Sequence, residues 1–166
     1  MNYFYIDTSA LVKRLYEEPG TEVIDFLLDH LLSSELSPLF ISIWGISEAI
    51  AVLNRKKNKL KMNDDDFHII LQSFIQEVIK FYLVTVKDED ILTSCKYALK
   101  YNLNSADAYY LSCMVEIRNI LQPLNQNLVL ISSDTRFLNA AEKEGFKTLN
   151  PEKNTKDEVL LLLRLP

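Results

Sequence analysis

The segment at residues 3–16, YFYIDTSALVKRLY, joins a strand pattern to a helix pattern through one acidic residue. Tyr3 to Ile6 is an aromatic and β-branched run, which predicts a short buried strand. Asp7 follows at once and is the only charged residue in positions 1–12. Thr8 to Tyr16 then predicts a helix. The segment therefore predicts a strand with a carboxylate at its carboxyl end, followed by a helix.

The same alternation of strand and helix patterns continues to the last residue. Four more strands are predicted, at residues 39–41, 82–86, 128–131 and 147–149. Seven more helices are predicted, at residues 21–31 with Thr21 as a cap, 43–57, 64–80, 88–101, 105–119, 135–144 and 155–165. This order predicts one α/β domain over residues 1–166, a three-layer sandwich in which helices flank a mostly parallel sheet of four to five strands.

Four carboxylates are each the only charge in a long apolar or neutral segment. These segments are residues 1–12 around Asp7, 40–54 around Glu48, 101–115 around Asp107 and 119–135 around Asp134. In a core element an unpaired carboxylate costs several kcal/mol or is forced to take up a proton. The simplest interpretation is that the four meet in space and share a cation.

Helix capping is the alternative explanation for three of these acids. Asp7 and Asp134 each precede a predicted helix, and Asp107 could stand near the start of a helix capped by Ser105. Glu48 lies inside an apolar helix pattern, where a capping role does not fit. Each acid alone is weak support for a site, whereas four of them in one compatible fold favour it.

The donor types and the predicted topology both favour a hard metal ion. Asp7 and Asp134 follow predicted strands, at the carboxyl edge where open α/β sheets bind ligands. Carboxylates without His or Cys partners select oxygen-loving cations, so Mg²⁺ or Mn²⁺ is predicted rather than Zn²⁺. Phosphodiester chemistry fits such a site, because Mg²⁺ usually completes its coordination with water and substrate phosphates.

Short motifs spread over nearly the whole chain, in a consistent order, resemble those of a PIN domain. They are Ile6-Asp7-Thr8-Ser9-Ala10-Leu11-Val12-Lys13, Ser42 with Ser47-Glu48, Ser105-Ala106-Asp107-Ala108, Ser132-Ser133-Asp134 ahead of Phe137-Leu138 and Ala140-Ala141, and the closing Gly145-Phe146 and Asn150-Pro151. Each motif is short and unspecific by itself, whereas the ordered set is fairly specific.

The resemblance implies a Mg²⁺- or Mn²⁺-dependent endoribonuclease that hydrolyses RNA. By that resemblance Asp7, Glu48, Asp107 and Asp134 are the catalytic and metal-binding quartet, with Thr8 and Ser133 as supporting hydroxyls. Many small members of the family are VapC-type toxins, which form homodimers and are silenced by an antitoxin protein. This chain is longer than a minimal toxin of that type around residues 117–127 and over the 64–80 helix.

RNA contact requires positive charge, although the chain as a whole is acidic. It has 18 Lys and Arg residues against 23 Asp and Glu, a net charge of −5, which argues against a general nucleic-acid coat protein. Candidate contacts are Lys13, Arg14 and Arg136, near the quartet in sequence, and Arg55, Lys56 and Lys57, in the densest basic run. A solvated helix end explains that run equally well.

Aromatic side chains and cysteines have simpler interpretations. Tyr109 and Tyr110 could stack on a base, but core packing is more usual for aromatics in an apolar helix. Trp44 is assigned to the core or to a dimer face. Cys95 and Cys113 have no metal-binding spacing and are interpreted as reduced thiols.

The sequence predicts a cytoplasmic protein that has no membrane partner. The first residues lack the basic region of a signal peptide, and the apolar run at residues 159–163 is far too short to span a bilayer. Two alternatives to the enzyme stay open. One is a catalytically inactive PIN-like module that binds RNA or protein, and the other is a plain α/β interaction domain whose acids are helix caps.

Overall fold

The computed structural model describes residues 2–33 and 37–164, with the side chain of Arg164 left out. Its sheet has five strands in the order β3-β2-β1-β4-β5, and every neighbouring pair is parallel. The strands are β1 Asn2–Ile6, β2 Leu39–Ser42, β3 Tyr82–Val84, β4 Asn127–Ile131 and β5 Lys147–Leu149. The prediction of a parallel sheet with up to five strands is confirmed.

Eight α-helices connect and cover the described strands. They are α1 Thr8–Leu11, α2 Thr21–Leu32, α3 Ile43–Leu60, α4 Asp64–Val78, α5 Asp88–Tyr101, α6 Ser105–Leu121, α7 Thr135–Lys143 and α8 Lys156–Arg164. The predicted α8 reached residue 165, which lies outside the described residues. The 121–127 segment, predicted as a loop, instead extends α6 to Leu121 and adds a 3₁₀ turn at Gln122–Leu124.

The first helix is shorter than predicted, and the second has a different cap. After α1 the chain tightens into a 3₁₀ turn, Val12–Arg14. The Thr21 hydroxyl donates to the Lys13 carbonyl at 3.0 Å, which satisfies a group that a longer helix would have bonded internally. The N-cap of α2 is Gly20, at φ +89° and without a side-chain hydrogen bond, so the predicted Thr21 cap is wrong.

Two cores, one on each face of the sheet, establish the three layers. Along β1, Phe4 and Ile6 point into the core covered by α2, α3 and α4, whereas Tyr5 points into the core formed with α6 and α7. This alternation is the period-2 pattern of a strand buried on both faces. One face of α2 is buried in the first of these cores, through Val23, Ile24, Leu27, Leu28 and Leu31.

Strand register brings the polar ends of β1 and β4 together. Ile6 pairs with Ile131, and the Asp7 N–H donates to the Ile131 carbonyl at 2.9 Å. Asp7 and Ser132 are therefore neighbours at the carboxyl edge of the sheet. At the end of β2, the Ser42 hydroxyl accepts a hydrogen bond from the Trp44 N–H at 3.1 Å and caps α3.

Three aromatic residues test the interpretations made from the sequence. Tyr109 and Tyr110 are buried in the α6 core, as the core interpretation predicted. Trp44 is 55% exposed, so its assignment to the core is wrong and only a surface role stays open. None of the described helices has both the length and the apolar character needed to cross a membrane.

Candidate metal-binding active site

An open cavity of about 560 Å³ lies at the carboxyl edge of the sheet. Its lining includes all four isolated acids, which come from different elements of the chain. Thr8 and Ser133, the two predicted supporting hydroxyls, also line it. The fold therefore brings together residues that the sequence separates by up to 127 positions, from Asp7 to Asp134.

Asp7 is buried and is held by hydroxyl groups rather than by a cation. Its Oδ2 accepts hydrogen bonds from the Ser9 Oγ at 2.5 Å and from the Ser132 Oγ at 2.8 Å. The same oxygen accepts from the Ser9 N–H at 3.3 Å, which caps α1. Burial raises the pKa of Asp7, against the lowering effect of the bonds from Ser9 and Ser132.

Asp134 is tied to Asp7 through a shared serine. The Ser132 Oγ, which donates to Asp7, accepts a hydrogen bond from the Asp134 N–H at 3.0 Å. The Asp134 Oδ1 accepts from the Arg136 and Phe137 N–H groups at 2.8 and 3.0 Å, which caps α7. Between them, the Ser133 Oγ is buried and has no hydrogen-bond partner among the described residues.

Glu48 is positioned by two hydroxyls from different layers of the fold. Its Oε2 accepts hydrogen bonds from the Thr8 Oγ1 at 3.4 Å and from the Tyr110 hydroxyl. Thr8 also donates to the Gly45 carbonyl at 3.1 Å, one helical turn before Glu48. Burial, followed by the bond to Glu48, raises the pKa of Tyr110 well above its ordinary value, so the phenol is the donor.

Asp107 carries the clearest electrostatic sign of the cluster. Asn104, the N-cap of α6, accepts from the Asp107 N–H and donates to the Asp107 Oδ2, both at 2.8 Å. Burial and, after it, the negative charges of Asp7 and Asp134 together raise the pKa of Asp107 to about 7. Glu48 acts in the same direction, and only Arg136 opposes it among the principal influences.

Capping explains part of this arrangement but not all of it. Asp7 and Asp134 do cap α1 and α7, as the alternative proposed. Asp107 does not follow a Ser105 cap, since Asn104 is the cap. Glu48 lies in the second turn of α3 and caps nothing described here. The gathering of all four acids around one cavity therefore has no explanation in capping alone.

The donor chemistry fits a hard divalent cation, although the carboxylates are not drawn together around one. Within residues 2–33 and 37–164, no three His, Cys, Asp or Glu side chains stand close enough to hold a metal ion as they are placed. One oxygen of each carboxylate takes the hydrogen bonds described above, namely Oδ2 of Asp7, Oε2 of Glu48, Oδ2 of Asp107 and Oδ1 of Asp134. The partnerless Ser133 hydroxyl adds one more oxygen at the cavity.

The predicted RNA-contacting cations fall into two groups. Lys13, Arg55 and Lys56 line the cavity. Arg136 lies near enough to Asp107 to oppose its raised pKa, and its Nη1 donates to the Asn102 carbonyl at 3.3 Å. Arg136 does not line the cavity, and neither do the remaining two: Arg14 bonds Asp25, Asp29 and Glu77, and Lys57 bonds Asp64.

Several contributors to the site were not predicted from the sequence, among them Ser9 on Asp7 and Asn104 on Asp107. Tyr110 and Ser132 hold Glu48 and Asp7, and Glu18 and Glu152 line the cavity mouth. Ser132 immediately precedes Ser133 in the quoted motif and could have been suspected from its place after β4. Tyr110, Glu18 and Glu152 carry no such signal, because the neighbouring sequence does not distinguish a core tyrosine or a surface glutamate at the site from one elsewhere.

Comparisons with known proteins identify the family of this fold. The family model for the PIN domain matches residues 4–143. The crystal structure of PAE2754 from Pyrobaculum aerophilum is similar with a TM-score of 0.61 and 18% identity, covering 98% of each chain. A search of curated proteins found no match.

Two further solved structures share the fold at low identity. FitAcB from Neisseria gonorrhoeae has a TM-score of 0.60 and 16% identity, covering 91% of this chain and 99% of its own. FitAB bound to the IR36 DNA fragment has a TM-score of 0.63 and 15% identity, covering 92% of this chain and 97% of that one. With the match of the family model over most of the sequence, the chain belongs to the PIN domain family, whose members are generally nucleases.

Proposed function

We propose that this protein is a Mg²⁺- or Mn²⁺-dependent endoribonuclease whose active site is Asp7, Glu48, Asp107 and Asp134. The observation that carries the proposal is the cavity lined by four carboxylates, in which burial, followed by the charges of Asp7 and Asp134, raises the pKa of Asp107 to about 7. Such crowding costs stability unless a cation neutralises it, so a fold that keeps it has a use for a cation. Membership of a nuclease family supports the same reaction.

The chain's own residues would prepare the site before substrate arrives. Ser9 and Ser132 fix Asp7, Thr8 and Tyr110 fix Glu48, and backbone N–H groups fix Asp134. In each case the hydrogen bonds described above involve one carboxylate oxygen only. A bound divalent cation would lower the pKa of a water molecule and neutralise charge that develops on the phosphate. Closer approach of the carboxylates is required, because no three stand at ligating distance.

Substrate binding would use cations at the rim of the same cavity. Lys13, Arg55 and Lys56 line it. Arg55 and Lys56 lie on α3 with Glu48, and Lys13 lies in the 3₁₀ turn directly after α1, the helix that carries Thr8. Phosphate contacts of this kind position nucleic acid without reading its sequence. We therefore propose an RNA strand laid across the cavity with its backbone against these cations.

The biological role we propose is that of the toxin in a VapC-type toxin–antitoxin pair. The motif resemblance supports this role, and an antitoxin protein and a second copy of the chain are the partners it implies. FitAB, a structural relative at 15% identity, is bound to DNA in its solved structure. Exposed Trp44 is available for a homodimer interface. Light scattering of the pure chain and of Trp44→Ser tests the dimer, which the substitution should weaken.

An inactive PIN-like binding module is the second candidate. It would bind RNA or protein without cutting. One observation favours it: among the described residues, no three potential ligands stand close enough together to hold a metal ion. The retained set of four acids argues against it, because loss of activity removes the reason for holding crowded carboxylates together.

The test is cleavage of a labelled single-stranded RNA and a structured RNA with Mg²⁺, with Mn²⁺ and with EDTA. Asp7→Asn should abolish the metal-dependent cleavage and keep the fold. Asp65→Asn is the matched control, because it removes one exposed carboxylate from the start of α4, away from the cavity. Cleavage that persists in Asp7→Asn, or in EDTA, would overturn the proposal.

A further inference from the structure

One carboxylate bridges two ammonium groups at the mouth of the cavity. The Glu18 Oε1 bonds the Lys56 Nζ, and its Oε2 lies 3.7 Å from the Lys13 Nζ. On the other side of Lys13, the Glu152 Oε1 accepts a hydrogen bond from the Nζ at 2.6 Å. All four side chains line the same cavity as the quartet. Two cations thus face the site with an oxyanion already between them.

Close packing of two loops places both glutamates beside Lys13. Gly20 lies so close to the turn after β5 that a Cβ there would stand 2.7 Å from the Pro151 carbonyl. Within these loops, the Glu18 N–H donates to the Thr21 Oγ1 and the Glu152 N–H donates to the Asn150 Oδ1, both at 2.9 Å. The backbone under each glutamate is therefore fixed, whereas its carboxylate extends to the cavity mouth.

Lys13 is far more buried than its two anionic partners. The Lys13 side chain is 4% exposed, whereas those of Glu18 and Glu152 are 32% and 40% exposed. The Lys56 Nζ is also restrained, because it lies 5.0 Å from the centre of the Tyr16 ring. A buried ammonium must keep an anionic partner. The glutamates can leave towards solvent only if another anion takes their place.

We propose that Lys13 and Lys56 form a phosphate-binding subsite for the RNA backbone, which Glu18 and Glu152 occupy until substrate displaces them. The inference rests on the proposed ribonuclease function and adds the position of one substrate phosphate. An RNA phosphate offers both lysines the same oxyanion chemistry that Glu18 offers now. Because RNA must displace the two glutamates, it binds less tightly than it would bind to unpaired lysines. The two glutamates therefore limit the affinity for RNA.

The experiment measures RNA binding in the Asp7→Asn background, where no cleavage is expected. Fluorescence anisotropy of a labelled single-stranded RNA gives Kd from about 50 to 200 mM NaCl for Glu18→Gln and Glu152→Gln. Each amide keeps an oxygen that can accept a hydrogen bond from Lys13. Glu22→Gln is the matched control, because Glu22 pairs with Lys156 at 3.4 Å and does not line this cavity.

We expect Glu18→Gln and Glu152→Gln each to bind RNA about fivefold more tightly at low salt, the effect of one charge pair near 4 Å in water. The dependence of log Kd on log salt should steepen by about 0.7 for each lysine released to a phosphate. Glu22→Gln should change Kd by less than about twofold. Adding Lys56→Gln to Glu18→Gln should remove the gain, since the subsite then lacks a cation.

The outcomes separate this inference from the proposed function. If the unmodified chain cuts RNA but Glu18→Gln and Glu152→Gln bind no better than Glu22→Gln, the subsite is overturned and the ribonuclease stands. If no RNA is bound or cut by any form of the chain, both are overturned. Thermal melting of each variant checks folding, and Glu18→Gln alone decides if Glu152→Gln fails to fold.

Discussion

Two clusters of carboxylates in this molecule are built on opposite principles. Around Arg14, one guanidinium bonds Asp25 at 3.0 Å, Asp29 at 2.6 Å and Glu77 at 3.0 Å. Although burial opposes its charge, the bonds to Glu77 and Asp25 raise the pKa of Arg14. In the quartet, by contrast, no Lys or Arg of the described chain forms an ion pair with any of the four acids.

The difference separates carboxylates that join elements of the fold from carboxylates that bind a metal ion in the function proposed above. The Arg14 cluster joins the turn after α1 to α2 and α4, and each of its three carboxylates is paired with the same guanidinium. The quartet relies on hydroxyl and N–H donors, which orient a carboxylate but leave its negative charge in place. A metal-binding site would have this form, because a Lys or Arg side chain paired with the carboxylates would compete with the metal ion.

The largest effect is expected from Asp107→Asn, which breaks the quartet. RNA cleavage should fall by about 100-fold or more, since even partners outside the ligand shell cost 10- to 100-fold. The free energy of unfolding without metal should rise at pH 8, on the order of 2 kcal/mol, because a repelled carboxylate is removed. Single-turnover cleavage and urea unfolding measure the two effects. Loss of both activity and fold would contradict this account.

The converse is expected of Arg14→Met, which breaks the other cluster. Three carboxylates lose their shared partner, so unfolding should become easier by about 2–3 kcal/mol, discounted for partial exposure of the pairs. The cleavage rate of the folded fraction should stay near that of the unmodified chain. A large loss of cleavage at full folding would instead place Arg14 at the substrate, as the sequence suggested.

The pH dependence of stability should show the uncompensated charge directly. In the metal-free fold Asp107 keeps its proton to about pH 7, whereas in the unfolded chain it loses the proton near pH 4. Between these values the folded state binds more protons, so this group's contribution to stability falls as the pH rises from about 4 to 7. Urea unfolding in EDTA should show a steeper fall over this window in the unmodified chain than in Asp107→Asn.

A smaller effect is expected from Tyr110→Phe, which keeps the ring and removes the donor to Glu48. Cleavage should fall by roughly tenfold, with more Mn²⁺ needed for half-maximal rate, because Glu48 is then held by Thr8 alone. Tyr109→Phe is the control, since its hydroxyl donates to the Thr85 carbonyl at 3.1 Å, away from the quartet. Equal losses in the two variants would show a packing effect only.

The fold was largely predictable because its signals are local. Tyr3 to Ile6 and the segments at residues 21–31 and 64–80 each predict their element from neighbouring residues. Four isolated acids in four separate segments could also be found from charge spacing alone. The extension of α6 to Leu121 was missed because Pro123 suggested a loop, although a 3₁₀ turn accepts it near its start.

The rest of the site depends on contacts between distant segments. Tyr110 reaches Glu48 across 62 positions, and Lys13 reaches Glu152 across 139. Arg14 and Lys13 are adjacent and both positively charged, yet one lies in the structural cluster and the other at the cavity. Only the direction of the 3₁₀ turn separates them, and no local pattern in the sequence reports that direction.

The most direct test of the central claim is the melting temperature with excess Mn²⁺ against EDTA at pH 7.5, for the unmodified chain and Asp107→Asn. A ligand that binds only the folded state stabilises it by about 3 kcal/mol at 100 times its Kd. We predict a rise of several degrees in the unmodified chain and little or none in Asp107→Asn. No rise in the unmodified chain, or an equal rise in both, would contradict a metal site in the quartet.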